Sequence, residues 1–157
     1  MEESRIPFLV RVPAPLFFGI TFVASAYLGD VFDWRSPWGQ GAALHYIGWG
    51  LVCIALILAA TSVGLFGLQR TTLNPAGRPA RLVTAGAFSI SRNPMYLGLT
   101  IAYVGLSFAL TSPWSLAFIV VPLGLVNFLV IPFEEERMLA TFGPTYVEYR
   151  RQVRRWI

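Results

Sequence analysis

Apolar residues arrive in long, nearly unbroken blocks, and that one feature leaves the chain few ways to fold. The blocks run over about 14–29, 42–68, 94–110 and 114–131. A stretch of about 20 apolar residues matches the hydrocarbon thickness of a bilayer. Inside lipid every backbone N–H and C=O must be bonded within the segment, so each block is expected to be a helix. The first block is short for a full crossing, and residues 6–10 extend it past Pro13 and Pro15. Hydrophobic residues make up 55% and charged residues 13%, which excludes an ordinary soluble domain. The expected fold class is all-α integral membrane: about four transmembrane helices plus a C-terminal interfacial amphipathic helix. A length of 157 residues fits a single domain, 1–157.

Within the second block, Gly48, Gly50, Gly64 and Gly67 would let neighbouring helices approach closely. The uncharged link Thr111, Ser112, Pro113 is tight, so the third and fourth blocks should form a helical hairpin. Pro122 is the expected kink of the fourth block. Asn127 is polar at membrane depth and should face other helices or a cavity. In the linker 30–41, Trp34 and Trp38 beside Asp30, Asp33 and Arg35 read as an interfacial anchor.

The net charge of +4 comes from arginine alone, because the chain contains no lysine. Arg5, Arg11, Arg70, Arg78, Arg81, Arg92, Arg137 and the terminal Arg150, Arg151, Arg154 and Arg155 fall on one side of a four-span layout. Only Arg35 falls on the other. The positive-inside rule then places both termini and the loop 69–91 in the cytoplasm. The charge reads as contact with the lipid bilayer surface, and no basic, aromatic-interleaved patch points to nucleic acid. His45, the lone histidine, lies on the far side, which sets aside a general-base role. A single histidine and the single Cys53 give no metal site and no intrachain disulfide. No strand is followed by Gly-x-Gly-x-x-Gly, so a soluble nucleotide fold is excluded. The N-terminus shows no small-residue cleavage site and reads as part of the mature protein.

The chemistry gathers on the cytoplasmic side. Asn93 before Pro94 signals a helix start, with the Asn side chain capping and Pro at the first position. Arg92 sets a cation beside the free N–H groups of that start, and Arg81 adds another. Together these hold a carboxylate or phosphate. Glu134 and Glu135 suit an ammonium or sulfonium, and equally suit the first turn of a helix. Asn127 and Glu134 are seven apart and share a face if the helix runs through Pro132. Phe142, Tyr146, Tyr149, Val153 and Trp156 follow steps of four and three, which gives one aromatic stripe on a terminal helix. That stripe is expected at the headgroup level, helping to close the pocket.

Three stretches then resemble one family in order. Leu82-Val83-Thr84-Ala85-Gly86-Ala87-Phe88 is similar to Leu-Val-Thr-x-Gly-x-Tyr. Arg92-Asn93-Pro94-Met95-Tyr96-Leu97-Gly98 is similar to Arg-His-Pro-x-Tyr-x-Gly. Glu134-Glu135, followed by Phe142-Gly143-Pro144-Thr145-Tyr146-Val147-Glu148-Tyr149, is similar to Glu-Glu with a Phe-Gly-x-x-Tyr-x-x-Tyr ending. The chain thus resembles the membrane methyltransferases that include isoprenylcysteine carboxyl methyltransferases and phospholipid N-methyltransferases. The resemblance spans about 81–153 and implies a cofactor region over about 80–157. It implies S-adenosylmethionine as cofactor, entering from the cytoplasm, and a lipophilic small-molecule acceptor entering from the bilayer. Cofactor contacts carried over are Leu82, Val83, Phe88, Asn93, Pro94, Met95, Tyr96, Glu134 and Glu135, with Arg81 added from the charge inventory. Glu134, Arg92 and Asn93 are the candidate catalytic residues. Three positions depart from the family. Asn93 replaces His and removes a titratable group. Phe88 replaces Tyr and removes a hydroxyl. Val130 stands where the prenylcysteine branch has Arg, which points away from a carboxylate acceptor and toward an amine, thiol or other lipophile. Two other readings remain open on sequence: an inactive scaffold of the same fold, favoured by Asn93, and a four-span transporter, disfavoured because no ionisable residue sits within a span.

Overall fold

The computed structural model describes residues 8–34, 41–68 and 81–157. Arg5, Arg35, Trp38, Arg70 and Arg78 lie outside the described residues, and so does most of the loop 69–91. The described residues are all helical or irregular, with no strand. A short turn, α1 (Phe8–Arg11), leads into α2 (Ala14–Val31), whose Pro15 sits in the first turn, where no intrahelical donor is lost. Next come α3 (Ala42–Leu68), a 3₁₀ turn (Gly86–Ser89) and α4 (Pro94–Ala109). Then α5 (Ser115–Phe118), α6 (Val120–Leu125), a π turn (Val126–Val130) and α7 (Ile131–Phe142) follow one another. The chain ends with α8 (Pro144–Gln152) and a non-helical tail.

Among the described residues, three stretches are long and apolar enough to cross a membrane: Ala14–Val31, Ala42–Leu65 and Ser115–Phe142. Shorter α4 is the fourth apolar helix. The fourth block thus runs eleven residues past its expected end at Ile131, straight through Pro132. Pro132 brings no N–H, and the wider π turn just before it is where the bonding pattern changes. Pro122 has the expected effect: it cannot bond back to Phe118, and the helix is interrupted at Ile119 between α5 and α6.

A core cluster joins α2 to α4 and the π turn. Phe18 and Phe22 meet Tyr103 edge-on, at centroid distances of 6.3 and 5.2 Å. Val126, Val130 and Ile131 complete it. Ser25 and Ser115, both fully buried, bond at 2.8 Å and tie α2 to α5. Helices α3 and α4 pack backbone to backbone at Gly48 and Gly105. A Cβ on Gly48 would lie 2.4 Å from the Ala109 nitrogen. Gly50 and Gly64, also expected to serve close approach, have nothing within 4 Å. They face outward, with the lipid-side Ile54, Leu56 and Ile57. His45 Nδ1 donates to the Ala109 carbonyl at 2.8 Å, pinning α3 to the last residue of α4.

The terminal stripe is divided among three segments. Gly143 turns the chain at φ 50°, a left-handed conformation that glycine adopts without strain, and Pro144 opens a new helix. Phe142 therefore ends α7, α8 stops at Gln152, and Val153 is extended. Tyr146, Tyr149 and Val153 are buried against Leu82, Met138 and Phe142 of the same chain, while Trp156 joins the α2–α4 core.

Candidate functional site

The α4 helix start is held by the tail instead of by its own cap. Asn93 occupies the N-cap and Pro94 the first helical position, as the sequence predicts. The Asn93 side chain does not cap, contrary to expectation. Its Nδ2 donates to the Arg155 carbonyl at 2.9 Å, because residues 153–156 run across the helix start. The same docking bonds the Arg92 N–H to the Arg154 carbonyl (3.0 Å) and Ser91 Oγ to the Arg155 carbonyl (3.3 Å).

Arg92 is drawn into this clasp as well. Its Nη2 pairs with Glu135 at 2.6 Å, and its Nη1 donates to the carbonyls of Arg150 and Val153. Arg155 pairs with the other Glu135 oxygen at 2.7 Å. The freestanding cation expected at Arg92 is thus mostly committed. Among the described residues, only its buried Nε–H lacks a partner.

Glu134 is different. One oxygen accepts from the Tyr96 hydroxyl at 2.7 Å, and the other takes no hydrogen bond among the described residues. From α8, the Tyr149 hydroxyl donates to the Phe88 carbonyl at 2.7 Å and fixes the loop before α4. Burial pushes the Tyr146 and Tyr149 phenols up to about 12, so both stay neutral hydrogen-bonding groups.

Between these elements lies a small cleft, open on one side. Of the residues singled out from sequence, Arg81, Leu82, Val83, Phe88, Arg92, Asn93, Glu134 and Glu135 line it. Pro94 is fully buried in the helix start, and Met95 and Tyr96 are not on the wall; Tyr96 acts on it through Glu134. Tyr146 and Tyr149 close one side, Met138 is an addition to the wall, and Arg155, off the wall, is an addition through its pair with Glu135. Met138 was findable, being four residues after Glu134 on α7. Arg155 carried no sequence signal.

Most of the chain matches known proteins. The phospholipid methyltransferase family matches residues 43–145, from the start of α3 into α8. Methanethiol S-methyltransferase of Mycobacterium tuberculosis is 28% identical over 130 residues, covering 78% of this chain and 51% of the relative. Protein-S-isoprenylcysteine O-methyltransferase B of Arabidopsis thaliana is 35% identical over 111 residues, covering 68% and 55%. Methanethiol S-methyltransferase of Pseudomonas deceptionensis is 30% identical, covering 90% and 59%. The chain spans about half the length of the curated relatives it matches. No solved structure matches it significantly. With its matched segment carrying both the α3–α4 pair and the two glutamates, the chain belongs to the phospholipid methyltransferase family.

Proposed function

We propose that the protein is an S-adenosylmethionine-dependent integral membrane methyltransferase acting on a lipophilic small acceptor. The cofactor enters from the cytoplasm and the acceptor from the bilayer. The carrying observation is the meeting, in one cleft, of a carboxylate with a free oxygen, unpaired cationic donors and aromatic faces. The residues fit the donor group by group. Arg81, exposed and without a partner among the described residues, and the bare Nε–H of Arg92 suit its carboxylate. Glu134 suits its cationic end, and Phe88, Tyr146 and Tyr149 offer rings to it. Asn93 orients the α4 start through its bond to the tail. When bound, S-adenosylmethionine supplies a methyl group on a sulfonium centre. The protein's part is to align that group with the acceptor and keep water out, since positioning carries most of an in-line displacement.

Removing one partner of a desolvated charge pair typically costs about 2–5 kcal/mol. Glu134→Gln should therefore weaken S-adenosylhomocysteine binding by roughly 30-fold. His45→Ala should leave binding nearly unchanged, because His45 bonds the opposite end of α4. Calorimetry on the purified wild type and both variants tests this. Should the folded wild type not bind, the inactive-scaffold reading takes over. Should Glu134→Gln bind as tightly as wild type, Glu134 has no part in cofactor recognition.

A further inference from the structure

Pairs between arginine and a carboxylate are frequently bidentate, with two parallel N–H groups on two oxygens. The pair between Arg92 and Glu135 is not. Arg92 reaches one Glu135 oxygen, Oε1, through Nη2 at 2.6 Å. The other oxygen, Oε2, is taken by Arg155 Nη2 at 2.7 Å, and Arg155 Nε adds a longer bond to Oε1 at 3.3 Å. Arg92 Nη1 is held by the carbonyls of Arg150 and Val153. The Arg92 Nε–H is left over, buried and without a partner among the described residues. A buried donor that stays bare bears the desolvation cost of the whole group.

Arg155 also joins the two halves of the site. Its carbonyl accepts from Asn93 Nδ2 at 2.9 Å and from Ser91 Oγ at 3.3 Å, at the α4 start. Its guanidinium holds Glu135 on α7. Arg155 does not line the cleft, and it lies beyond the matched segment 43–145. The Arg92 and Glu135 side chains are each 10% exposed, against 34% for Arg155. The outer cation therefore occupies an oxygen that the inner one would otherwise clasp.

Resting on the methyltransferase reading above, we propose that Arg155 is a positioning residue for the carboxylate of the methyl donor. By filling Oε2 it keeps Arg92 on a single oxygen of Glu135, and the Arg92 Nε–H stays free for the bound carboxylate. Without the Arg155 side chain, Oε2 is open. Arg92 then turns to take both oxygens with Nε and an Nη group, and the ligand loses its donor. The loss falls on one end of the ligand only.

The test is calorimetry on the protein in nanodiscs with two ligands, S-adenosylhomocysteine and its decarboxylated form, which differ by the carboxylate alone. Arg155→Met should weaken S-adenosylhomocysteine binding about tenfold, equivalent to 1.4 kcal/mol, and leave the decarboxylated ligand within about twofold of wild type. Arg155→Lys, whose ammonium still reaches for Oε2, should recover most of the loss. On an Arg92→Lys background, which has no Nε, Arg155→Met should cost nothing further. In an arginine-selective NMR spectrum of the wild type, the Arg92 Nε–H signal, assigned by its absence in Arg92→Lys, should shift with S-adenosylhomocysteine and not with the decarboxylated ligand. That comparison carries the test if Arg155→Met does not fold. Equal weakening of both ligands would show a slackened tail and overturn the proposal. So would an unchanged affinity for both, no recovery in Arg155→Lys, an effect that survives Arg92→Lys, or an NMR signal that answers both ligands alike. In each of these cases wild type still binds S-adenosylhomocysteine, and the role of Arg155 alone falls. If the folded wild type binds neither ligand, the methyltransferase reading falls and this inference with it.

Discussion

Glu134 and Glu135 are neighbours in the chain with different work. Glu135 is locked between Arg92 and Arg155, whereas Glu134 keeps one oxygen open to the cleft. From sequence the pair suited a helix start as well as a site. The first role has lost its basis, because α7 continues a helix that is already running and has no free N-terminus to stabilise. Glu135→Gln would leave the largely buried Arg92 guanidinium without its carboxylate. Breaking such a pair from one side costs about 3–5 kcal/mol. The expected result is a lower melting temperature in detergent and faster amide exchange over residues 144–153. If both stay at wild-type values, the clasp is not holding the tail. Position 93 shows what residue-level reading can and cannot reach. The family resemblance located it, and the loss of a titratable group was plain. Its actual bond, a side-chain N–H to a carbonyl 62 residues away, depends on where the tail lies, and no local pattern encodes that.

Helices α3 and α4 were legible as elements, since long apolar blocks leave no other backbone structure in lipid. Their mutual contact was only half legible. A helix apolar on every side has no amphipathic stripe to show which face meets a neighbour. Glycine content announced close packing, yet of Gly48, Gly50 and Gly64 only Gly48 sits against another backbone. Gly48→Ala would place a methyl carbon 2.6 Å from the Gly105 carbonyl oxygen and nearer still to Ala109. Backbone atoms cannot step aside cheaply, so overpacking of about 1–3 kcal/mol is expected. Gly50→Ala meets nothing within 4 Å and should be neutral. Thermal unfolding of the two variants side by side checks this, and equal melting points would refute the contact. The terminal stripe failed as one helix for a similar reason. Steps of three and four persist across Gly143, but its left-handed corner sends the two halves in different directions.

For the whole molecule, arginine asymmetry in the sequence is the argument for our proposal that the cleft faces the cytoplasm. An epitope inserted in the linker 30–41 should be labelled from outside intact cells, while terminal tags should need permeabilisation. Labelling of the terminal tags alone would invert the layout and the route assigned to the cofactor. The pairing of α3 with α4 also has a dimensional consequence. At about 1.5 Å per residue, the 16 residues of α4 span about 24 Å, and the 27 of α3 about 40 Å. A typical hydrocarbon layer is about 30 Å thick, so α4 is too short to match it and α3 is longer than it needs to be. The cleft is built on the start of the shorter helix. It must either sit sunken below the headgroups or draw the bilayer inward around it. Acyl-chain length in the host membrane thereby becomes a setting on the protein: thicker lipid drowns the cleft, and thinner lipid lifts it toward water.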